Sequence, residues 1–198
     1  MAGTTRTQNP AAGGFAGDET RQEHNKVVVD LESTRQALQS ATLSTSGLTI
    51  HGASSTLAKA ATAFRYLSSP TAGARAVLGL VAANTDTAAF SGTVTNGKYN
   101  IFVHTVQDDG AGNQTHRTRM GTEGATRAAI IPPTVPVTEA IYGITEIHPT
   151  GTGNFVGGTT NLDDGTVTPN AAYVSVVGEP VFGGVAVAAG LTAAPVGL

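Results

Sequence analysis

Glycine and proline punctuate this chain so densely that long regular helices have little room. Twenty-five glycines and nine prolines are spread through 198 residues. Both residue types interrupt helices and mark turns. The segments between them are short and rich in Thr, Val and Ala, with β-branched residues favouring pleated, half-buried surfaces. The expected fold is therefore mainly β: a Thr/Val/Ala-rich antiparallel β-sandwich or barrel-like domain with one N-terminal helix and extended terminal arms. The boundaries read as an arm over 1–17, a helix over 18–40, a β domain over 41–178 and an apolar strand or arm over 179–198.

Composition removes several function classes. There is no cysteine, hence no disulfide framework, thiolate zinc site or Cys nucleophile. The formal net charge is −3 and the eleven Lys and Arg are scattered, whereas nucleic-acid binding needs clustered cations that release counterions. No nucleic-acid partner is expected. A hydrophobic fraction of 40% is too high for a disordered chain.

The two ends carry little regular pattern. The opening MAGTTRTQNPAAGGFAGDET has no apolar core of a secretory signal and reads as an extended arm. After Glu179 the chain is uncharged and approaches bilayer length, but Pro180, Gly183, Gly184, Gly190, Pro195 and Gly197 break it and no basic flank marks a boundary. No membrane partner is expected, and such an apolar tail needs a cover, for which a neighbouring subunit is the natural candidate.

The one convincing helix spans 18–40. Asp18 and Thr20 are N-cap candidates, with Glu19 and Glu23 near the positive end of the dipole. Val27 or Val28, Leu31, Thr34 or Arg35, and Leu38 recur at helical spacing. This narrow stripe suits a coiled-coil seam, docking on a neighbour, or packing on its own domain.

From Ala41 onward the texture is β. The segments at 48–50, 62–67, 76–82 and 87–95 are candidate strands. Asn96-Gly97 predicts a tight hairpin between 87–95 and 98–106, because Asn-Gly accepts the positive φ angles of a type I′ turn. In 98–106 neither face is purely polar, so that strand is expected to be covered on both sides. The polar, Gly-rich stretch 107–125 reads as a long hairpin tip or surface loop. Pro132, Pro133 and Pro136 imply an extended crossover. Further strands are expected at 139–149, 171–177 and 181–188, with an aromatic anchor at Phe155.

Candidate chemistry is sparse. The five histidines, His24, His51, His104, His116 and His148, have no metal-ligand spacing and read as surface or satisfied groups. Asp108-Asp109-Gly110 and Asp163-Asp164-Gly165 read as Asp-Gly turns rather than calcium loops, because neither continues with the required ligands. Were an ion bound, those turns would be the place. Gly151, Gly153, Gly157 and Gly158 miss the phosphate-loop spacing, and no nucleophile elbow occurs. No catalytic residue, cofactor or metal is nominated, and the chain is not expected to be an enzyme. His116, Arg117 and Arg119 form a small basic cluster that reads as a solvated loop tip, with an acidic neighbour or a nucleic acid as the alternatives it would suit.

Two stretches carry a family resemblance. The first is Ile141-Tyr142-Gly143-Ile144-Thr145-Glu146-Ile147. The second is Gly151-Thr152-Gly153-Asn154-Phe155-Val156-Gly157-Gly158-Thr159-Thr160-Asn161-Leu162-Asp163, followed by Thr166-Val167-Thr168 and Tyr173. From about Leu48 to Val177 the chain resembles a type of tailed-bacteriophage virion protein with a "GYVTI" strand, a "GT..F..GTT.LD" segment and a "VT.TY" strand. Tyr142 and Gly143 are swapped relative to that pattern, and Asn161 interrupts the Thr-Leu-Asp run. The resemblance implies a head decoration or head-fibre protein, commonly trimeric, with no catalytic residues to carry over.

The expectation is a structural protein on the virion surface, made in the host cytoplasm without a signal peptide. Its partners would be itself, as a homotrimer, and the major capsid protein or other virion proteins. Val27, Val28, Leu31, Leu38, Val181 and Phe182 are the candidate oligomer or anchor contacts. A second expectation is a tail or fibre module that binds a host receptor or glycan, with Asp108, Asp109, His116, Arg117 and Arg119 as its recognition loop. A cell-envelope adhesin domain and a small enzyme with dispersed residues are further alternatives.

Overall fold

The computed structural model describes residues 40–178. The expected arm over 1–17, the helix over 18–40 with Val27, Val28, Leu31 and Leu38, and the C-terminal arm with Val181 and Phe182 lie outside the described residues, apart from Ser40, a buried bend leading into the first strand.

The described chain is mainly β and antiparallel throughout. In order, the strands are β1 (Ala41–Thr42), β2 (Leu48–Ile50), β3 (Ala58–Ala60), β4 (Phe64–Ser68), β5 (Val77–Val81) and β6 (Thr85–Asp86). They continue as β7 (Thr93–Val94), β8 (Asn100–Asp108), β9 (Gln114–Met120), β10 (Ala140–Ile147), β11 (Phe155–Val156) and β12 (Ala172–Ser175), with one 3-10 turn at Arg127–Ala129. Four sheets result, ordered β1-β4-β5, β2-β3-β6, β11-β7 and β12-β10-β8-β9. Each is open, so the barrel-like closure expected as one alternative does not form among the described residues. The run lengths explain this. Only β8, β9 and β10 exceed five residues, and the other strands are cut short by turns.

The long central pair organises the core. Strands β8 and β10 are buried along nearly their whole length, and residues of period two divide between two faces. On one face, Phe102, Val106, Ala140, Tyr142 and Ile147 join Leu48, Ala58, Ala60, Phe64, Tyr66, Val94 and Phe155 in the larger apolar cluster. On the other, Ile101, Val103, Ile141 and Ile144 pack with Val135, which the Pro-rich crossover delivers. Covering on both sides of the 98–106 strand is thus realised. Aromatic residues are few, and all four described phenylalanines are placed in the larger cluster. Phe90 meets Phe102 edge-on at 4.9 Å, and Phe64 stacks on Tyr142 at 5.0 Å, geometries that add to simple area burial.

A bulge in β10 at Tyr142 resets the register, with Ile141 opposite Thr105 and Gly143 opposite His104. It turns both Tyr142 and Gly143 toward the larger cluster and, although Val176 N–H still donates to the Tyr142 carbonyl at 3.2 Å, leaves the Ile141 and Tyr142 carbonyls open to side-chain donors. Side chains near the start of the domain take them up. Thr42 Oγ1 donates to the Ile141 carbonyl at 2.6 Å, and Ser46 Oγ donates to the Tyr142 carbonyl at 2.8 Å. Gly143 leaves room here for the Leu48 side chain: a Cβ would meet Leu48 Cδ2 at 2.7 Å, so that side chain would have to shift.

The predicted Asn96-Gly97 hairpin does not form. The turn itself exists, with Gly97 at φ +77° and Lys98 N–H donating to the Thr95 carbonyl at 3.0 Å. Its flanking strands pair elsewhere, however. β7 pairs with β11, while β8 pairs with β9 and β10. Burying both faces and both edges of β8 outweighs a local two-strand closure. Residues 107–125 are likewise no simple loop, because Gln114–Met120 is strand β9.

Candidate functional site

One group of the described polar residues lies along the β8–β9 hairpin. At its tip the two aspartates act on the turn. Asp108 Oδ1 accepts from Gly110 N–H at 2.7 Å and Gly112 N–H at 3.3 Å. Asp109 Oδ1 accepts from Ala111 N–H at 2.8 Å and Asn113 N–H at 3.1 Å, and its Oδ2 accepts from Asn113 Nδ2 at 2.6 Å. The Asn113 side chain and these backbone amides lower the Asp109 carboxyl below its ordinary range. At the second turn, Asp164 Oδ1 accepts from Thr166 and Val167 N–H groups at 2.8 and 2.7 Å, while Asp163 Oδ2 receives Ser54 N–H at 2.8 Å. Asp108, Asp109 and Asp164 thus organise Asx-type turns, while Asp163 ties its turn to the distant Ser54. Among the described residues no three His, Cys, Asp or Glu converge as a metal site.

The remaining hairpin residues divide by strand parity. Arg117 and Arg119 share one face of β9, and both point at Glu139, which is buried just before β10. Arg117 Nη1 donates to Glu139 Oε1 at 2.9 Å and to Gln107 Oε1 at 3.1 Å. Arg119 donates from Nη2 to Oε1 at 2.6 Å and from Nε to Oε2 at 3.2 Å. Thr105 Oγ1 completes the set, donating to Oε2 at 2.7 Å. The buried carboxylate thus has both oxygens occupied by charged or hydroxyl donors, the two arginines reaching in from the surface.

His116 lies on the opposite face, edge-on to Tyr142 at 5.8 Å, where burial lowers its basicity. The five expected recognition residues are therefore not one loop. Asp108 and Asp109 shape the tip, Arg117 and Arg119 grip Glu139, and His116 points inward. The roles of Glu139, Thr105 and Gln107 have no motif in the sequence. The signal available was the alternation of Arg117 and Arg119, which places both on one side of a strand.

His104 is the most enclosed polar group. Thr118 Oγ1 donates to the Ala88 carbonyl at 2.6 Å, so it accepts from His104 Nδ1 at 3.1 Å. His104 Nε2 then accepts the Thr145 hydroxyl at 2.8 Å. The network thus assigns a neutral, Nδ1-protonated ring with both nitrogens used. Burial pushes its pKa down to about 3. Tyr66 is fully enclosed, and burial together with the adjacent Asp108 carboxylate raises its pKa to about 12.

A second polar cluster joins β10 to the crossover. Arg127 Nε donates to Glu146 Oε1 at 2.8 Å and lies 5.7 Å from the centre of the Tyr99 ring, which stacks on His148 at 3.7 Å.

One apolar surface contrasts with these engaged polar groups. In the β1-β4-β5 sheet, Leu67 is opposite Leu78 and Arg65 is opposite Leu80. Leu43 N–H donates to the Arg65 carbonyl at 2.7 Å, which brings Leu43 into the same row. These residues share the face away from Tyr66. Leu43, Leu78 and Leu80 are 48%, 54% and 52% exposed.

Comparison with protein-family models, with curated proteins and with solved structures finds no match to this chain.

Proposed function

We propose that this chain is a non-enzymatic structural protein of a bacteriophage particle, with a sandwich-type β domain that decorates or stabilises the capsid as a homotrimer. The observation that carries the reading is how the ionisable side chains are employed. Arg117 and Arg119 are held on Glu139, Asp108 and Asp109 serve turn amides, and His104 is clamped between two threonines. Each stabilises the scaffold, which suits a mechanical task. The residues carrying the phage resemblance are scaffold positions too: Phe155, Tyr142 and Leu162 are buried in the larger cluster. In this reading the helix over 18–40 and the N-terminal arm anchor the protein while the β domain packs into the trimer, with Val27, Val28, Leu31 and Leu38 as the anchor or trimer contacts.

Light scattering on the size-exclusion peak, followed by binding to capsids lacking this protein, tests the reading. The expected result is three times the 19.9 kDa chain mass and saturable capsid binding. A monomer that ignores capsids overturns it. The exposed tip at Asp109–Asn113 favours a second reading, a tail or fibre module for a host receptor or glycan. Binding of the isolated protein to host cells, but not to capsids, would select that one.

A further inference from the structure

We infer that the leucine face of the β1-β4-β5 sheet is the seat of the chain's own C-terminal segment, residues 179–198, folded back within the same molecule. This does not depend on the particle reading above. Leu67 faces Leu78 in one cross-strand row, and Leu43 and Leu80 flank Arg65 in the next, so four leucines surround one arginine on this face, and a domain rarely leaves such a face bare.

The described chain ends beside it. Gly178 N–H donates to the Thr42 carbonyl at 2.6 Å, on the side of β1 away from β4. The segment that follows therefore starts beside β1, the edge strand of this sheet. It holds no charged residue after Glu179, and its apolar members include Val181, Phe182, Val185, Val187 and Leu191.

Reach is ample. Three strands about 4.8 Å apart span roughly 10 Å, whereas an extended segment covers about 3.3 Å per residue. Four residues beyond Gly178 already cross the sheet. Charge matches as well. Arg65 is the one cation in the leucine rows, and Glu179 is the last anion before the apolar run. A tethered segment also has the advantage over a free copy, since a short linker gives an effective concentration near the millimolar range.

The absence of cysteine makes the test clean. Leu80→Cys is labelled with a maleimide in the full chain and in a chain ending at Gly178, with Asn113→Cys as a control away from this sheet. Labelling of Leu80→Cys is expected to be at least fivefold slower in the full chain at every protein concentration, with Asn113→Cys unchanged. In case the shortened chain fails to fold, the full-length V181D/F182D variant replaces it and should lose the same protection. A Leu80→Cys/Phe182→Cys chain, mildly oxidised, should close within one chain and run as a single-chain species on a non-reducing gel. Equal labelling rates overturn the assignment. So does protection that grows with concentration, or a ladder of linked chains, either of which gives the face to a second copy.

Discussion

Lowering the pH should unfold this domain through His104. The ring is fully buried, neutral and engaged at both nitrogens, with its pKa pushed down to about 3. In the unfolded chain it returns to about 6.5. Between those values the unfolded state binds the extra proton, so stability rises with pH across the window. The contribution is complete above about pH 6.5 and is lost as pH falls toward 3. Each pKa unit corresponds to about 1.36 kcal/mol, so pH 4.5 removes about 3 kcal/mol, a large share of the roughly 5–15 kcal/mol that holds a domain together.

His104→Gln supplies the comparison. It keeps one donor for Thr118 and one acceptor for Thr145 but does not titrate. Urea unfolding at pH 7, 6, 5 and 4 gives stability for both proteins. The variant will be less stable at pH 7, and the gap should close by about 1 kcal/mol per pH unit below 6. His116, whose basicity burial also lowers, is present in both proteins and cancels in the difference. Parallel curves would show that His104 is not held neutral by the fold, and the reasoning would fail.

Other outcomes follow from single contacts. Glu139→Ala leaves two guanidinium groups and the Thr105 hydroxyl without their acceptor and should cost about 3 kcal/mol in urea unfolding, while Arg119→Met, with Arg117 still in place, should cost about 1 kcal/mol or less. Equal losses would contradict a shared carboxylate. Gly143→Ala drives a methyl into Leu48 and should cost about 1–3 kcal/mol. Leu48→Ala in the same chain should recover part of that loss, and a thermal melt of both variants with the single controls reads the coupling. Thr168 holds a left-handed φ of +48°, which strains a β-branched residue. Thr168→Asn should raise the melting temperature slightly, by about 0.5–1 kcal/mol of stability, and a drop would show that its side chain contributes more than the strain.

Much of the β pattern is legible because strong strands announce themselves by composition. Leu48–Ile50 falls where its three residues place it, and β10 and β12 lie within 139–149 and 171–177. What misleads is chemistry whose partner is remote. Asn96-Gly97 writes a turn, but no local residue says that β7 will choose β11. The run Gln114–Met120 looks like a loop because glycines flank it and its side chains are polar. It becomes a strand because β8 needs a partner and Glu139 needs cations. β3, with the sequence Ala-Lys-Ala, carries no strand preference, and tertiary pairing alone makes it one. His104 reads as a satisfied histidine, yet the two threonines that satisfy it lie 14 and 41 residues away along the chain.

The uptake of the bulge carbonyls has a consequence for the order of folding. Thr42 and Ser46 bond to residues 99 and 96 positions later, and Leu48 N–H donates to Ser175 Oγ across 127 positions. The first strands pair with β4 and β3 nearby, but their side-chain and amide bonds to the core pair come from the last third of the described chain. Closing such loops is entropically slow, and non-local topologies fold on millisecond-to-second timescales rather than microseconds. On the ribosome, residues 41–50 must wait for β10 and β12 to emerge. At roughly 5–20 residues per second, the early hairpins stay undocked for several seconds or more, an interval in which they hold only their local β3 and β4 partners and depend on chaperones, or on their own short length and small side chains, to avoid association with another nascent copy.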